Sequence, residues 1–233
     1  MNTKTLVTDG QLGQLAVRQH DFFERVKRGA YADFDQVMAA FQVVIEGRMP
    51  EPPTLTVEQK FAKWRSFLIG GVNKKALLQR VEARFSVGDW AKDLMKRPAF
   101  TTQDAEEEIE TIILTPADFG YERQPTTTEL LDPTRLAEWS KQNAARLPEG
   151  YVVELLPAEV GPHIRDQYKD QPKGEVLWMA MERITDSDGD PDVFRVRRGG
   201  DGTQWLCTCS ADPGSQWSLD YRLVFRLRKV AQA

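Results

Sequence analysis

The sequence predicts an α+β fold: a helical N-terminal part, then a mixed unit ending in an antiparallel β-sheet. Three observations predict it. Apolar residues recur at helical spacing between Gln11 and Arg97, residues 174–230 break into short β-rich runs divided by turn residues, and strand and helix patterns mix in between without a regular βαβ alternation.

The first helix runs from Gln11 to Arg28, where Leu12, Leu15, Ala16, Phe22, Phe23 and Val26 repeat at helical intervals before Gly29. A second follows Asp33, whose carboxylate can accept from first-turn amides while Gln36 stands at the capping-box position. Its stripe is Phe34, Val37, Met38, Phe41, Val44 and Ile45, closed by Gly47. Residues 1–49 therefore read as a helical hairpin module. A unit of about 40 residues rarely buries two apolar faces alone, so the hairpin is expected to dock on the chain or mediate self-association. Residues 50–55, with Pro50, Pro52 and Pro53, read as a stiff linker.

Residues 56–100 read as a basic helical segment. Thr56 opens a helix whose stripe is Val57, Phe61, Trp64 and Leu68, ended by Gly70 and Gly71; Lys74–Phe85 and Asp89–Arg97 follow, joined by a turn at Ser86–Gly88. Leu77, Leu78, Val81 and Phe85 face inward on the one, Trp90 and Leu94 on the other. Residues 101–233 read as an α+β domain with a C-terminal antiparallel sheet. Ile109–Leu114 is a strand, Asp132-Pro133 starts a helix that reaches about Arg146, Val152–Leu156 is a strand, and a helix lies within Pro157–Tyr168. Strands are then expected at Glu175–Ile184, Asp192–Arg198, Thr203–Cys209 and Tyr221–Lys229.

Composition narrows the function. With 41% hydrophobic and 28% charged residues the chain is of ordinary globular type, which sets aside disordered and disulfide-rich classes. No apolar run approaches the roughly 18 residues of a membrane span, and Met1–Gly10 lacks a leader pattern, so a cytoplasmic setting with no membrane partner is expected. Cys207 and Cys209, two apart, are expected as reduced thiols.

Motif by motif, little chemistry emerges. There is no Gly-x-Ser-x-Gly elbow, no partnered cysteine and no complete phosphate loop, so no catalytic residue and no cofactor is assigned. Gly70-Gly71-Val72-Asn73-Lys74-Lys75 places glycines before lysines at a helix start, which suits an anion, although a helix stop and restart explains it as well. Asp186-Ser187-Asp188-Gly189-Asp190 alternates carboxylates as a calcium loop does, yet Pro191 and Arg197 stand where a glycine and a glutamate should, so a hairpin turn is the plainer reading and the cation question for Asp186–Asp192 stays open. His20 and His163 are isolated from the cysteines, and no metal ligands are assigned.

Two cationic surfaces remain. Between Glu58 and Arg97 ten basic residues face four acidic ones, and Lys74, Lys75, Arg80, Arg84, Lys92 and Lys96 on two helices have the outline of a helix-turn-helix. The net charge of −4 opposes nucleic-acid binding there, so it is the second choice. In the last strand Tyr221, Leu223, Phe225 and Leu227 alternate with Arg222, Arg226 and Arg228, while Arg195 and Arg197 alternate with Phe194 and Val196. Were those two strands neighbours, five guanidinium groups would line one face, suited to an acidic protein, a phosphate or a carboxylate, unless Glu175, Glu182 and nearby aspartates neutralise it or the acidic run Glu106–Glu110 packs there, which is the plainer reading.

Pro157–Pro162, the run Gln167–Glu175 and Asp186–Pro191, with Ile45-Glu46-Gly47 in the hairpin, resemble phrases of an uncharacterised protein family in small-genome candidate-phylum bacteria. That resemblance implies a bacterial intracellular setting and brings no activity with it. The expectation is a non-catalytic module that binds another protein, with nucleic-acid binding through residues 60–97 and a small enzyme as the alternatives.

Overall fold

The computed structural model describes Met38, Gln42 and residues 60–230, and the chain divides into two units, Met1–Thr54 and Leu55–Ala233. The helical hairpin expected at 1–49 lies outside the described residues apart from Met38 and Gln42, as does the linker at 50–55.

In the second unit the elements run β1 (Arg65–Ile69), α1 (Lys74–Glu82), β2 (Ser86–Val87), α2 (Asp89–Lys96), β3 (Glu107–Leu114), a 3₁₀ turn (Pro116–Phe119), α3 (Thr127–Leu130), α4 (Pro133–Gln142) and β4 (Tyr151–Glu154). They continue with α5 (Val160–Gln167), β5 (Val176–Met179), β6 (Ile184–Thr185), β7 (Pro191–Arg198), β8 (Gln204–Ser210) and β9 (Leu223–Lys229). All nine strands among the described residues join one sheet in the order β1-β3-β9-β5-β7-β8-β2, with β4 also on β9 and β6 also on β7.

This corrects the predicted fold class. The described chain is mostly a nine-stranded mixed sheet with few helices, and the sheet begins at Arg65 rather than in the C-terminal part. Where a helix was expected through Leu68, Phe67 and Ile69 are buried in alternation with Ser66 and Leu68, a period of two. Leu68, which a helical stripe would turn inward, is 46% exposed. Likewise Ser86–Val87 is not a free turn but pairs parallel with β8, and Trp90, expected inside, is exposed. The C-terminal sheet is not purely antiparallel either, because β5 runs parallel to β9. The expected strand Glu175–Ile184 divides into β5 and β6.

Register decides what each face carries. On β9, Leu223, Phe225 and Leu227 share a face with Ile112, Leu114 and Val153, and that face is covered by the 3₁₀ turn and α4. Phe119 links the layers, its ring 5.2 Å from Phe225 and 4.7 Å from Trp139. Burying each such side chain contributes about 1.5–3 kcal/mol. The opposite face carries Val224, Leu177, Phe194, Val196 and Leu206 and is covered by α5 and the helices beside it. Gly161 permits the close approach of α5, since a Cβ there would lie 2.8 Å from Cβ of Phe194.

Candidate functional site

The arginines of β7 and β9 do not share a face. β5 lies between the two strands, and its residue Trp178 is level with both Arg195 and Leu223. Side chains at the same level of adjacent strands point the same way, so Arg195 and Arg197 project on the α4 side with Leu223, while Arg222, Arg226 and Arg228 project on the α5 side. The expected five-guanidinium surface is therefore split. Inserting β5 and the level it sets are products of the long connections, which strand alternation cannot encode.

Arg222, just before β9, and the two arginines of β9 are also spoken for. Arg222 pairs with Glu175 at 2.6 Å, Arg226 with Glu107 at 2.5 Å, and Arg228 holds Glu154 through two bonds of 2.6 and 2.8 Å. The Arg228 hydrogen bonds hold the Glu154 carboxyl below its ordinary value.

Arg195 and Arg197 differ. Neither has an ion pair or side-chain hydrogen bond among the described residues, and the Nε of each is buried without an acceptor. Arg197 lies between Val176 and Trp205, Arg195 between Trp178 and Cys207. The Arg197 guanidinium sits over the Trp205 ring at 5.3 Å, which fixes the plane of its donors. Trp178 in turn stacks on Tyr221 at 4.1 Å and 12°. Asp201, in the β7–β8 turn, feels the charge of Arg197 but is engaged by the amide and hydroxyl of Thr203. Cys207 and Cys209 are free thiols on this face, and burial pushes Cys209 up, with Arg195 pulling the other way. The result is a half-open strip, two unpaired cations framed by apolar and aromatic side chains.

The basic helices are largely self-neutralised. Lys74 donates to the carbonyls of Lys96 and Arg97, Arg80 and Arg84 both pair with Asp166, and Lys92 pairs with Glu82 at 3.0 Å. Lys75 and Lys96 make no ion pair among the described residues. The anion beside Gly70-Gly71 is the chain's own: the Gly70 amide donates to Glu159 Oε2 at 3.2 Å. In the Asp186–Asp192 loop, Asp186 Oδ1 accepts from the amides of Asp188 and Asp190, at 2.8 and 3.0 Å, as a turn former does. Among the described residues no group of three or more His, Cys, Asp or Glu is placed to hold a metal ion.

Sequence reasoning missed the polar interior of α5 and its entry. Glu159, His163 and Arg165 are almost wholly buried. Glu159 also accepts from the Gln103 amide at 3.0 Å, and His163 Nδ1 lies 3.3 Å from Arg80. Arg165 donates to Gln171 Oε1 at 2.6 Å and to the Tyr168 carbonyl, with no carboxylate partner, and burial pulls it down to about 10. The one available signal was Glu159 and His163 four residues apart on a short helix, a spacing that brings side chains together. These groups are sealed from solvent among the turns around α5, so they belong to the interior rather than to a ligand site. A cleft of 440 Å³ lies near Trp64, Ile113 and Asp118, but its cations are paired as well: Lys60 with Asp118, Lys63 with Glu110, Arg222 with Glu175.

Among the described residues no helix is long and apolar enough to cross a membrane. Comparison of the chain with protein-family models, with curated proteins and with solved structures finds no match.

Proposed function

We propose that the protein is a non-catalytic binding module, working in the cytoplasm, that holds an acidic protein segment on the open strip of β5, β7 and β8. One observation carries the reading: of the five candidate arginines, Arg195 and Arg197 are the two without a carboxylate partner among the described residues. A guanidinium left unpaired with part of its donor set buried carries a desolvation cost that a partner's carboxylate offsets. Nucleic-acid binding through residues 60–97 draws less support, because Lys74, Arg80, Arg84 and Lys92 already have acceptors.

Retention of the intact chain on immobilised poly-L-glutamate across a salt series tests the proposal. Joint replacement Arg195→Gln and Arg197→Gln should abolish retention, whereas Arg226→Gln should leave it. Unchanged retention of the double variant would overturn the assignment.

A further inference from the structure

We infer that the partner segment lies extended along this strip and carries two acidic side chains separated by one residue, one carboxylate meeting Arg195 and the next Arg197. The inference rests on the proposed binding role of the same strip and adds spacing and conformation to it.

Spacing comes first. Arg195 and Arg197 are alternate residues of one strand, β7, and so project from the same face at an interval of about 6.6–6.8 Å. An extended peptide presents its own alternate side chains at that interval, with the intervening one turned away. A helix instead sets its residues i and i+4 about 6 Å apart along its axis, so a helical partner would need its acids four positions apart rather than two.

Surroundings come next. Each cation is hemmed by uncharged neighbours, Val176 and Trp205 for the one, Trp178 and Cys207 for the other. Carboxylates arriving there meet no competing acid within ion-pair distance among the described residues. The guanidinium of Arg197 is already oriented by Trp205, so less freedom is lost when its fork is engaged.

The same rings argue against a nucleic-acid strand. Bases bind such surfaces by stacking on free ring faces. Here the Trp178 ring stacks on Tyr221, the Trp217 ring meets Tyr221 edge-on at 6.3 Å, and the Trp205 ring carries Arg197. Aromatic surface is present, but it is committed to holding the strip in shape.

The test uses the full chain and two fluorescein-labelled peptides of equal length and charge, one alternating Glu with Ala and one setting its glutamates in two-residue blocks divided by two alanines, so that no two are separated by one residue, together with a labelled oligo-dT. Anisotropy titration should show the alternating peptide bound tighter than the block by about fivefold or more, the increment expected of a second charge-assisted fork. Arg195→Gln and Arg197→Gln should each erase that preference, and Arg228→Gln, on the other face, should keep it. Arg195→Lys, which retains the stem and the charge and guards against a misfolded Gln variant, should bind both peptides alike because an ammonium has no fork. Equal affinity for the two peptides, lost on both Gln substitutions, would overturn the spacing and leave the binding role standing. No peptide binding, or binding indifferent to both substitutions, would overturn the two together. Preference for oligo-dT that disappears in Arg195→Gln would replace the peptide with a nucleic acid.

Discussion

The carboxamide of Gln167 closes the outer edge of the sheet at Leu68: its Nε2 donates to the Leu68 carbonyl at 2.7 Å, and its Oε1 accepts from the Leu68 amide at 3.1 Å. One side chain thus does what a neighbouring strand would do for that residue. Beside it, Arg65 holds Asp170 through two bonds of 3.1 and 2.7 Å. Open strand edges invite pairing with other chains, and a side chain that satisfies both backbone groups blocks this. Gln167→Ala should lower stability by about 1–2 kcal/mol, speed amide exchange at Leu68 and raise the tendency to associate. Urea denaturation, exchange measured residue by residue and light scattering report the three effects. Unaltered protection of the Leu68 amide would show that the carboxamide does not guard the edge.

Gly161 is fixed by what faces it. Its missing Cβ would fall 2.8 Å from Cβ and 3.0 Å from Cγ of Phe194, so α5 can rest on β7 only through a hydrogen. Gly161→Ala gains helix propensity but forces the helix outward, and overpacking of this kind costs about 1–3 kcal/mol. The loss should shrink when Phe194→Leu is introduced as well, giving a coupling energy of opposite sign to the single effects. Additive denaturation midpoints in the double variant would place the strain elsewhere.

Among the described residues Arg165 is the largest wholly buried side chain, and its acceptors are neutral: Gln171 Oε1 at 2.6 Å and the Tyr168 carbonyl, with the Phe85 ring 4.8 Å away. Burying a cation without a counter-charge is costly, so replacing it by an apolar chain of similar length removes that cost along with the hydrogen bonds. Arg165→Met should therefore stay within about 1 kcal/mol of the parent or exceed it. Gln171→Ala, which leaves the cation buried and short of an acceptor, should lose about 2–3 kcal/mol. If Arg165→Met proved the more damaging of the two by chemical denaturation, the guanidinium would have to hold the fold through contacts other than these.

How much of this was legible beforehand depended on whether the signal was local. Ile109–Leu114 announced a strand through its own β-branched residues, and the alternation of Leu223, Phe225 and Leu227 with Arg226 and Arg228 marked β9 as a strand, although Val224 is buried on its other face as well. Phe61, Trp64 and Leu68 misled because three apolar residues at helical spacing arise by chance as readily as by design, while the shorter alternation through Phe67 and Ile69 was the one the sheet used. The arginine face failed for a different reason. Parity within a strand was read correctly, with Phe194, Val196 and Phe225 all buried, but the level between strands is set by β5, and no pattern within β7 or β9 carries that. Glu159 reaching the Gly70 amide, 89 residues away, was invisible for the same cause.

Acid titration gives a last handle, at Glu129. Its carboxylate accepts from Arg123 at 2.5 and 3.0 Å and from the Thr126 amide at 2.9 Å, closing the capping box at the start of α3. Hydrogen bonds from Arg123, then from Thr126, hold the carboxyl at about 2, against 4.5 for an unperturbed glutamate. A folded-state value below the unfolded one means the unfolded chain binds the proton first, so stability falls as pH drops. The contribution is whole above about 4.5 and is lost as pH falls through about 2. Glu129→Gln cannot titrate. The difference in melting temperature between parent and variant should accordingly be constant from neutral pH down to about 5 and shrink towards pH 2, and high salt should narrow it at neutral pH because the Arg123 side chain is exposed. A gap of the same size at pH 2 and pH 7 would mean that the charge on Glu129 is not what steadies this turn.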